Sequence, residues 1–532
     1  MKKILSMLLV FVMLLGLLAG CNTNDQPGTT AEPSGTTEPE VSVSGNTVIL
    51  YTANVRGDVD VYAKVAAAKA AYEAEGATVY LVDAGNYMQG KAAVNTDRGL
   101  TAFELMDAAG YDVAGMGLYE FVYGDATTGY MYHGNVTKYH TQAQLYKGVE
   151  ETEYQKNAPW AESPVMDKLA AKEAATFKVI CSNLAVGSEN SGYYAFEANA
   201  VLGDTLKVGF ICNAPGDLED YVQDGFLTGY TAQDTVKPEC DVTVCLGSGE
   251  GDIVIEAVDG GDMTVGAYLI NNETKKITNL EVDITAADAD VAALAETAKT
   301  DAAKVVGTSS VTLSGKDSVA WNGEVNLGDL TADALKWYAE NKFDGFKKDV
   351  PVVAIQNGGN CDNFIYTGDI TETDLLKALP FSPMGVGIIY VTGSELLETL
   401  EASTQTENCP GWAQVAGIEY TVDTTAAYDA AEAYGETGWY KHTEAKRVTI
   451  TSVDGAAFDP NATYAVIADN FLMNGNDTYY TFAAIKEADA TKYLKNTGDV
   501  KVRDIVAMYI SEVLSGNIGD TYDAAQGRIT VK

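Results

Sequence analysis

The chain has 532 residues, which is long enough for two domains with substantial cores. Its 35 Lys and Arg residues against 75 Asp and Glu give a formal net charge of −40. That balance argues against nucleic-acid binding, which needs clustered basic side chains, and suits a protein that resists aggregation. With only three histidines in the sequence, a site built on several imidazoles is hard to supply.

A secretory signal is predicted over residues 1–20. Two lysines precede an apolar run, Ile4–Leu18, that is too short for a good transmembrane span. The following Leu-Ala-Gly-Cys resembles a bacterial lipobox. This resemblance implies cleavage before Cys21, a lipid on its sulfur and attachment to the outer face of a bacterial cell membrane. An ordinary signal peptide with a chance cysteine is the alternative. Residues 21–46 are polar and predict a flexible tether.

Strands and helices alternate in the first predicted domain, residues 47–284, which indicates α/β layering. The first predicted elements are the strand Val48–Tyr51, the helix Val61–Glu75, the strand Thr78–Val82, the helix Thr101–Ala109 and the strand Asp112–Met116. Residues 122–165 are rich in Tyr, Gly and Lys and are interpreted as an insertion. Later strands are predicted at Phe177–Ile180, Lys207–Ile211, Asp241–Leu246 and Asp252–Ala257, with antiparallel strands within Thr264–Ile284.

Residues 285–304, rich in Ala, Asp and Lys, are predicted to form a linker helix before a second domain, residues 305–532. The predicted elements of that domain are the helix Leu327–Trp337, the strand Pro351–Ile355, the helix Thr371–Ala378, the strand Val386–Val391 and the helix Gly393–Ser403.

Six cysteines follow Cys21, and an even number in an exported protein permits three disulfides. The pairs expected are Cys181–Cys212, Cys240–Cys245 and Cys361–Cys409, with free buried thiols as the alternative. The lack of a CxxC pair argues against metal binding by these cysteines.

Several short motifs follow one another in the second half of the chain. They are the run Gly323–Ala334, Asn357-Gly358-Gly359, Thr367-Gly368-Asp369-Ile370-Thr371, Leu379-Pro380-Phe381 and Val391-Thr392-Gly393. Each is weak alone, but in this order they resemble the secreted 5′-nucleotidase family over nearly all of residues 47–532. The resemblance implies an α/β fold. A metallophosphatase-like four-layer αββα sandwich would be joined by the linker helix to an α/β 5′-nucleotidase C-terminal domain.

In that family the first domain holds two divalent metals, and the second binds the nucleoside. The residues at the implied metal positions differ here. Asn54 and Arg56 stand where Asn-Asp-x-His-Gly has its Asp and His, and Asn86 replaces the bridging Asp of Asp-Ala-Gly-Asp. Leu118 and Tyr119 replace the metal-binding Asn and the catalytic His of Gly-Asn-His-Glu-Phe. Arginine offers no lone pair to a metal, and leucine has no donor atom.

Two further histidine motifs follow strands in the family. Ser248 stands at the first, and Val258 and Gly260 stand at the other two histidine positions. We therefore expect no binuclear metal site, no metal cofactor and no catalytic residue. The alternative is a relocated metal bound by Asp58, Asp60, His133 or His140.

The resemblance also implies a ligand site in the second domain, where two aromatic rings sandwich a base. Trp412 and Phe471 match the rings, and Gln414, Asp477 and Asn357 match polar residues near them. Stacking on such rings contributes about 1–3 kcal/mol per base. Core packing for the rings and a turn role for Asp477 are the alternatives.

A charge argument narrows the ligand. Asp362 stands where the family has an Arg after the double glycine, and no Arg occurs between Arg98 and Arg447. An anionic phosphate would meet a carboxylate instead of a bidentate clamp. The site therefore favours a neutral nucleoside or another planar ring over a nucleotide.

The expected protein is a catalytically inactive, lipid-anchored surface member of the 5′-nucleotidase family. Its expected partners are the membrane, through Cys21, and a nucleoside or other planar ligand, with no nucleic acid. Two alternatives remain open. One is an active metal-dependent 5′-nucleotidase that hydrolyses extracellular nucleotides, and the other is a surface adhesin or scaffold.

Overall fold

The computed structural model describes residues 42–97, 99–122, 176–186, 196–223, 227, 230–380, 385–434, 439–496 and 500–532. Val43–Lys532 form one compact unit. The predicted signal, Cys21, most of the tether and almost all of the predicted insertion lie outside the described residues, as do His133 and His140. Within the described part of the chain, no helix is both long and apolar enough to cross a membrane.

The first sheet positions the implied metal residues. In the described residues it has six strands in the order β12-β11-β1-β2-β3-β4. These strands are β1 Thr47–Ala53, β2 Thr78–Asp83, β3 Val113–Gly115, β4 Lys178–Ile180, β11 Thr264–Ile270 and β12 Ile277–Leu280. Strands β1 to β4 are parallel, whereas β11 and β12 are antiparallel. The loops after β1, β2 and β3 therefore meet at one edge of the sheet.

In the described residues of this half, four α-helices accompany the sheets. They are α1 Asp60–Ala74, α2 Ala92–Asn95, α3 Leu100–Ala109 and α4 Ala289–Thr300. The long helices bury Val65, Phe103 and Val291 in one hydrophobic cluster with Leu50 and Leu81 of the sheet. Helix α4 lies within the predicted linker and begins where Asp288 accepts hydrogen bonds from two backbone N–H groups of its first turn.

The opposite face of the first sheet packs against a second sheet, of order β10-β9-β7-β6 in the described residues. Its strands are β6 Ala200–Leu202, β7 Val208–Asn213, β9 Val242–Gly247 and β10 Ile253–Ile255, beside a separate pair, β5 Leu184–Val186 and β8 Tyr230–Ala232. Ile49 and Val82 meet Phe210 and Val244 between the sheets. The described residues thus supply a helical layer and two sheet layers of the expected sandwich.

The second half is also mixed α/β. Its largest described sheet has the order β17-β14-β23-β16-β24, and smaller sheets have the orders β15-β13-β25 and β22-β21-β18-β26 beside the hairpin β19-β20. The strands are β13 Val305–Ser309, β14 Val352–Asn357, β15 Gly368–Thr371, β16 Val386–Thr392, β17 Ala413–Ala416, β18 Ile418–Val422, β19 Ala430–Tyr434, β20 Trp439–His442, β21 Val448–Val453, β22 Ala456–Ala457, β23 Thr463–Asp469, β24 Tyr493–Lys495, β25 Asn517–Ile518 and β26 Ile529–Val531.

The helices of this half pack on both faces of the five-stranded sheet, in two hydrophobic clusters. They are α5 Asp317–Ala320, α6 Asn326–Asn341, α7 Glu372–Ala378, α8 Gly393–Ser403, α9 Asn470–Met473, α10 Tyr480–Ala488 and α11 Val502–Glu512. Two of them begin with a capping box. The side chains of Thr371 and Thr392 each accept a hydrogen bond from the backbone N–H three residues later. The acidic side chain of that later residue accepts in turn from the backbone N–H of the threonine. The predicted helix Thr371–Ala378 therefore begins at Glu372.

The three expected disulfides are wrong in this structure, where all six cysteines are free. The sulfur atoms of three of these cysteines lie within hydrogen-bond distance of groups other than a cysteine. Cys212 Sγ accepts a hydrogen bond from Met116 N at 3.2 Å, Cys181 Sγ lies 3.5 Å from Asn183 Oδ1, and Cys240 Sγ lies 3.4 Å from Thr243 Oγ1. Burial raises the pKa of the Cys212 and Cys361 thiols, so these cysteines behave as small apolar core residues.

Candidate functional site

The loops after β1 and β2 place two side-chain amides against each other. Asn86 Nδ2 donates to Asn54 Oδ1 at 2.9 Å, and Asn54 Nδ2 donates in turn to the carbonyl of Asp262 at 3.3 Å. Both asparagines are buried and have positive φ, 55° and 66°, a conformation that Asn and Asp tolerate better than most residues. A neutral amide pair thus occupies the place where the family resemblance implies a metal-bridging carboxylate.

Arg56 extends away from this amide pair toward the second half of the chain. Its NH2 group donates to the carbonyl of Thr367 and, at 2.6 Å, to Thr367 Oγ1. The guanidinium carbon also lies 4.7 Å from the ring centroid of Tyr119, in a cation–π contact. The residue at an implied imidazole position therefore makes contacts between the two halves.

Tyr119 follows β3 and reaches the same place. Its hydroxyl donates to Asp259 Oδ1 at 2.5 Å and lies 3.0 Å from Thr367 Oγ1. Burial raises the pKa of this phenol, so it stays protonated at neutral pH and keeps its donor. The neighbouring Leu118 is buried in the hydrophobic cluster of the first half.

Two acidic residues of the resembling motifs hold the loops in place. Glu120 is 1% exposed and accepts backbone N–H groups from Asn86, Tyr87, Met88 and Gly117 at 2.8 to 3.3 Å. Burial raises the pKa of Glu120, although these hydrogen bonds oppose the change. Burial also raises the pKa of Asp83 to about 8, although that side chain accepts from Thr52 and from the backbone of Gly85. Both carboxyls support loop backbone.

The remaining implied histidine positions are at the surface. Ser248 is exposed beyond β9, and its carbonyl accepts from Asn213 Nδ2 at 2.9 Å. Val258 and Gly260 are also exposed. Their neighbour Asp259 provides the contact to Tyr119.

These donors do not fit a pair of divalent cations. The set consists of two mutually bonded amides, a guanidinium, a leucine and exposed positions without imidazole. Among the described residues, no group of three or more His, Cys, Asp or Glu side chains is arranged to hold a metal ion. Of the alternative ligands, Asp58 pairs with Lys91 at 3.3 Å and Asp60 with Lys299 at 2.8 Å.

In the second half, two of the predicted ligand residues are used in packing. Trp412 is 2% exposed and belongs to the hydrophobic cluster between the large sheet and α8 and α10. Gln414 is fully buried: its Oε1 accepts from Val325 N at 3.0 Å, and its Nε2 donates to the carbonyls of Ala320 and Gly323. Gln414 therefore fixes the segment before α6.

Of the other predicted ligand residues, Phe471 and Asp477 are partly exposed, whereas Asn357 is buried. Phe471 is partly exposed at the edge of that cluster. Asp477 has a φ of 49°, and its Oδ2 accepts from Asn357 Nδ2 at 2.7 Å. Burial raises the pKa of Asp477, and the bond from Asn357 opposes that change. These three residues keep an aromatic face and a fixed acceptor in one region.

Asp362, at the implied Arg position, is 4% exposed beside Asp317, and burial raises its pKa well above the usual range. A buried carboxyl beside a second acid does not supply the positive charge of a phosphate clamp. Sequence reasoning missed the roles of Thr367, Asp259 and Gln223. The only signal was the Thr-Gly-Asp motif that contains Thr367, which was recognised without a function.

The second half of this chain matches a known domain family. The family model for the 5′-nucleotidase C-terminal domain matches residues 305–487. The trifunctional nucleotide phosphoesterase protein YfkN of Bacillus subtilis is 29% identical over 196 residues, covering 36% of this chain and 12% of that protein. Protein 5NUC of Lutzomyia longipalpis is 27% identical over 241 residues, covering 43% and 38%. The chain thus spans less than half the length of these curated relatives.

A solved structure is similar over a longer range. The 5′-nucleotidase precursor from Thermus thermophilus aligns with 91% of this chain and 99% of its own, at 19% identity and a TM-score of 0.39.

Proposed function

The chain belongs to the 5′-nucleotidase family, and we propose that it is a member without phosphoesterase activity. It would act as a binding or scaffold protein at the outer face of a bacterial membrane. One observation carries the proposal. The side chains at the implied metal positions are bonded to each other and to Thr367, and they offer no set of donors to a cation. Without activated water, a phosphoryl group meets no nucleophile there.

Metal content and turnover test this proposal together. The purified chain is analysed for Mn, Co, Zn and Mg, and phosphate release is measured on a nucleotide panel with each metal added. We expect substoichiometric metal and no chelator-sensitive release. Two tightly held metal equivalents with turnover that EDTA abolishes would establish the alternative, an active hydrolase.

The membrane attachment is a separate proposal that rests on the lipobox-like sequence before Cys21. Partition into a detergent phase tests it in a bacterial host. The wild type is expected in the detergent phase, and Cys21→Ser in the aqueous phase. Equal partition of the two proteins would reject lipid attachment at this residue.

A second candidate function is binding of a neutral nucleoside or another planar ring in the second half. It is favoured by the partly exposed Phe471 and by the acceptor Asp477, which Asn357 holds. Because Trp412 is buried, the ring would stack on Phe471 alone unless the cluster opens.

Titration calorimetry with adenosine and AMP tests this candidate. We expect adenosine to bind and AMP to bind more weakly, since Asp362 stands where a phosphate clamp would be needed. Phe471→Ala should abolish the heat, and Tyr440→Ala, which removes another exposed ring, should not. Tighter binding of AMP would contradict the charge argument, and no heat from any nucleoside would leave the scaffold role alone. The adhesin alternative depends on the tyrosine-rich insertion, which lies outside the described residues.

A further inference from the structure

Residues 43–300, the N-terminal half, contact residues 305–532, the C-terminal half, through a set of buried and partly buried contacts that we call the junction. The first half contributes Arg56, Gly90, Ala92, Tyr119, Tyr221 and Gln223 to the junction, and the second half contributes residues 362–369 with Gly315 and Asp317. We propose that the junction makes the two halves unfold as one cooperative unit. In this proposal Arg56 and Tyr119, which stand where the family has a metal ligand and the catalytic His, hold the halves together. This inference goes beyond the proposed loss of catalysis, because an inactive protein could still have independently moving halves.

The first part of the junction converges on one threonine. Arg56 donates to the carbonyl and the hydroxyl of Thr367, and the hydroxyl of Tyr119 lies 3.0 Å from the same Oγ1. A charged donor makes a stronger hydrogen bond than a neutral one. If the halves separated, the guanidinium of Arg56 would lose both of its hydrogen bonds to Thr367 at once and would be exposed to water.

The second part of the junction is made by Asp369 and the backbone around the start of α2. Asp369 N donates to the carbonyl of Gly90 at 2.7 Å, and Asp369 Oδ2 accepts from Ala92 N at 3.0 Å. The chains approach so closely that a Cβ at Gly368, where φ is +120°, would lie 2.2 Å from the carbonyl oxygen of Gly90. Only glycine fits this contact.

The third part is one glutamine. Gln223 is 1% exposed, and its Nε2 donates to the carbonyls of Gly315 and Asp362 at 3.0 and 2.8 Å. Its Oε1 accepts from Asp317 N at 3.2 Å. A side chain of the first half thus satisfies three backbone groups of the second, and each would be unsatisfied in a dry interface without it.

Apolar packing completes the junction. Phe364 and Tyr366 belong to the second half of the chain but are buried in the hydrophobic cluster of the first. Their rings stack with centroids 5.6 Å apart, and the hydroxyl of Tyr366 donates to the carbonyl of Tyr221 at 2.8 Å. Opening the junction would expose both rings to water.

Hydrogen exchange of the wild-type chain tests the proposal directly, because the amides of Ala92 and Asp369 donate across the junction. If the halves form one body, these amides exchange only when the whole chain unfolds. They are then as slow as the buried amides of β2 and β14. Exchange at the two amides that is roughly 100-fold faster than in those strands would overturn the proposal.

A matched pair of conservative variants gives a second measurement. Thr367→Val removes the hydroxyl shared by Arg56 and Tyr119. Thr399→Val removes a hydroxyl that donates at 2.8 Å to Glu395 of its own helix, α8. We expect Thr367→Val to speed exchange roughly 10-fold at Ala92 and Asp369 and by the same factor in β2 and β14, and Thr399→Val to speed it less. Faster exchange in Thr367→Val at Ala92 and Asp369 alone would show that the halves open separately, and no change at any of these amides would contradict the role of Thr367 in the junction.

Discussion

Asn86 donates its side-chain amide to Asn54 Oδ1 at 2.9 Å, and this single bond replaces the charge arrangement that a metal bridge would need. Because both residues are buried and neutral, the loops after β1 and β2 hold together without a cation. A carboxylate in place of either asparagine would therefore be a buried negative charge with no cation beside it.

Asn86→Asp is therefore expected to destabilise the chain by about 2 kcal/mol, because it replaces a donor by a buried carboxylate that faces Asn54 Oδ1. Urea unfolding measures the change. Asn517→Asp, at an exposed position, is the control and should be close to neutral. Added Mn²⁺ should not restore the stability of Asn86→Asp, since one carboxylate does not rebuild a site. Restoration by metal would contradict our description of the site.

Glu120→Gln should cost about 2–3 kcal/mol of unfolding free energy, because one amide oxygen replaces two carboxylate oxygens that accept four backbone N–H groups. The measurement is again urea unfolding at pH 7. Glu296→Gln, on the exposed side of α4, is the matched control. A loss no larger than that of the control would mean that the loop amides find other acceptors.

The chain should become less stable as pH rises from about 4 to 8. Burial raises the pKa of Asp83 to about 8 and that of Asp469 to about 6, above the value of about 3.9 in an unfolded chain. Between these values the native state keeps protons that the unfolded state releases. The stabilisation is complete below about pH 4 and is lost as pH rises through the folded pKa, by at most about 1.4 kcal/mol per pH unit for each group.

Asp83→Asn isolates the contribution of Asp83 to the change of unfolding free energy with pH, because an amide resembles the protonated carboxyl and does not titrate. The difference between urea midpoints at pH 5 and pH 8 should shrink in this variant. Asp241→Asn is the control: Lys275 lowers the pKa of the exposed Asp241, so its removal cannot flatten the slope in the same direction. A slope unchanged by Asp83→Asn would show that Asp83 is ionised in the folded protein at neutral pH.

Trp412→Ala should destabilise the chain by about 3–5 kcal/mol, as expected for a large ring removed from a core. Phe471→Ala should cost clearly less, because that ring is only partly buried. Thermal unfolding of both variants without ligand measures the difference. Equal small losses would indicate that Trp412 is a surface ring available for stacking, contrary to its position in the structure.

Sequence patterns identified most elements of the first 400 residues, because strand and helix periodicities are local. The helix predicted at Val61–Glu75 runs from Asp60 to Ala74, and that predicted at Gly393–Ser403 has the same bounds in the structure. The short motifs likewise identified the family and the positions where Asn54, Arg56 and Asn86 stand. What these side chains contact could not be predicted, since their partners lie far away in sequence.

The amino-acid sequence by itself determined which chemical groups stand at the implied metal positions, since residue identity needs no fold to be known. Only the tertiary structure decided what those groups do, because Arg56 and Thr367 are separated by 311 positions in the chain. The same holds for Trp412 and Gln414: their types suit a ligand site, but burial and bonding depend on elements that pack around them. The sequence shows that a guanidinium donor stands at position 56, but only the packing of the two halves makes Thr367 its acceptor.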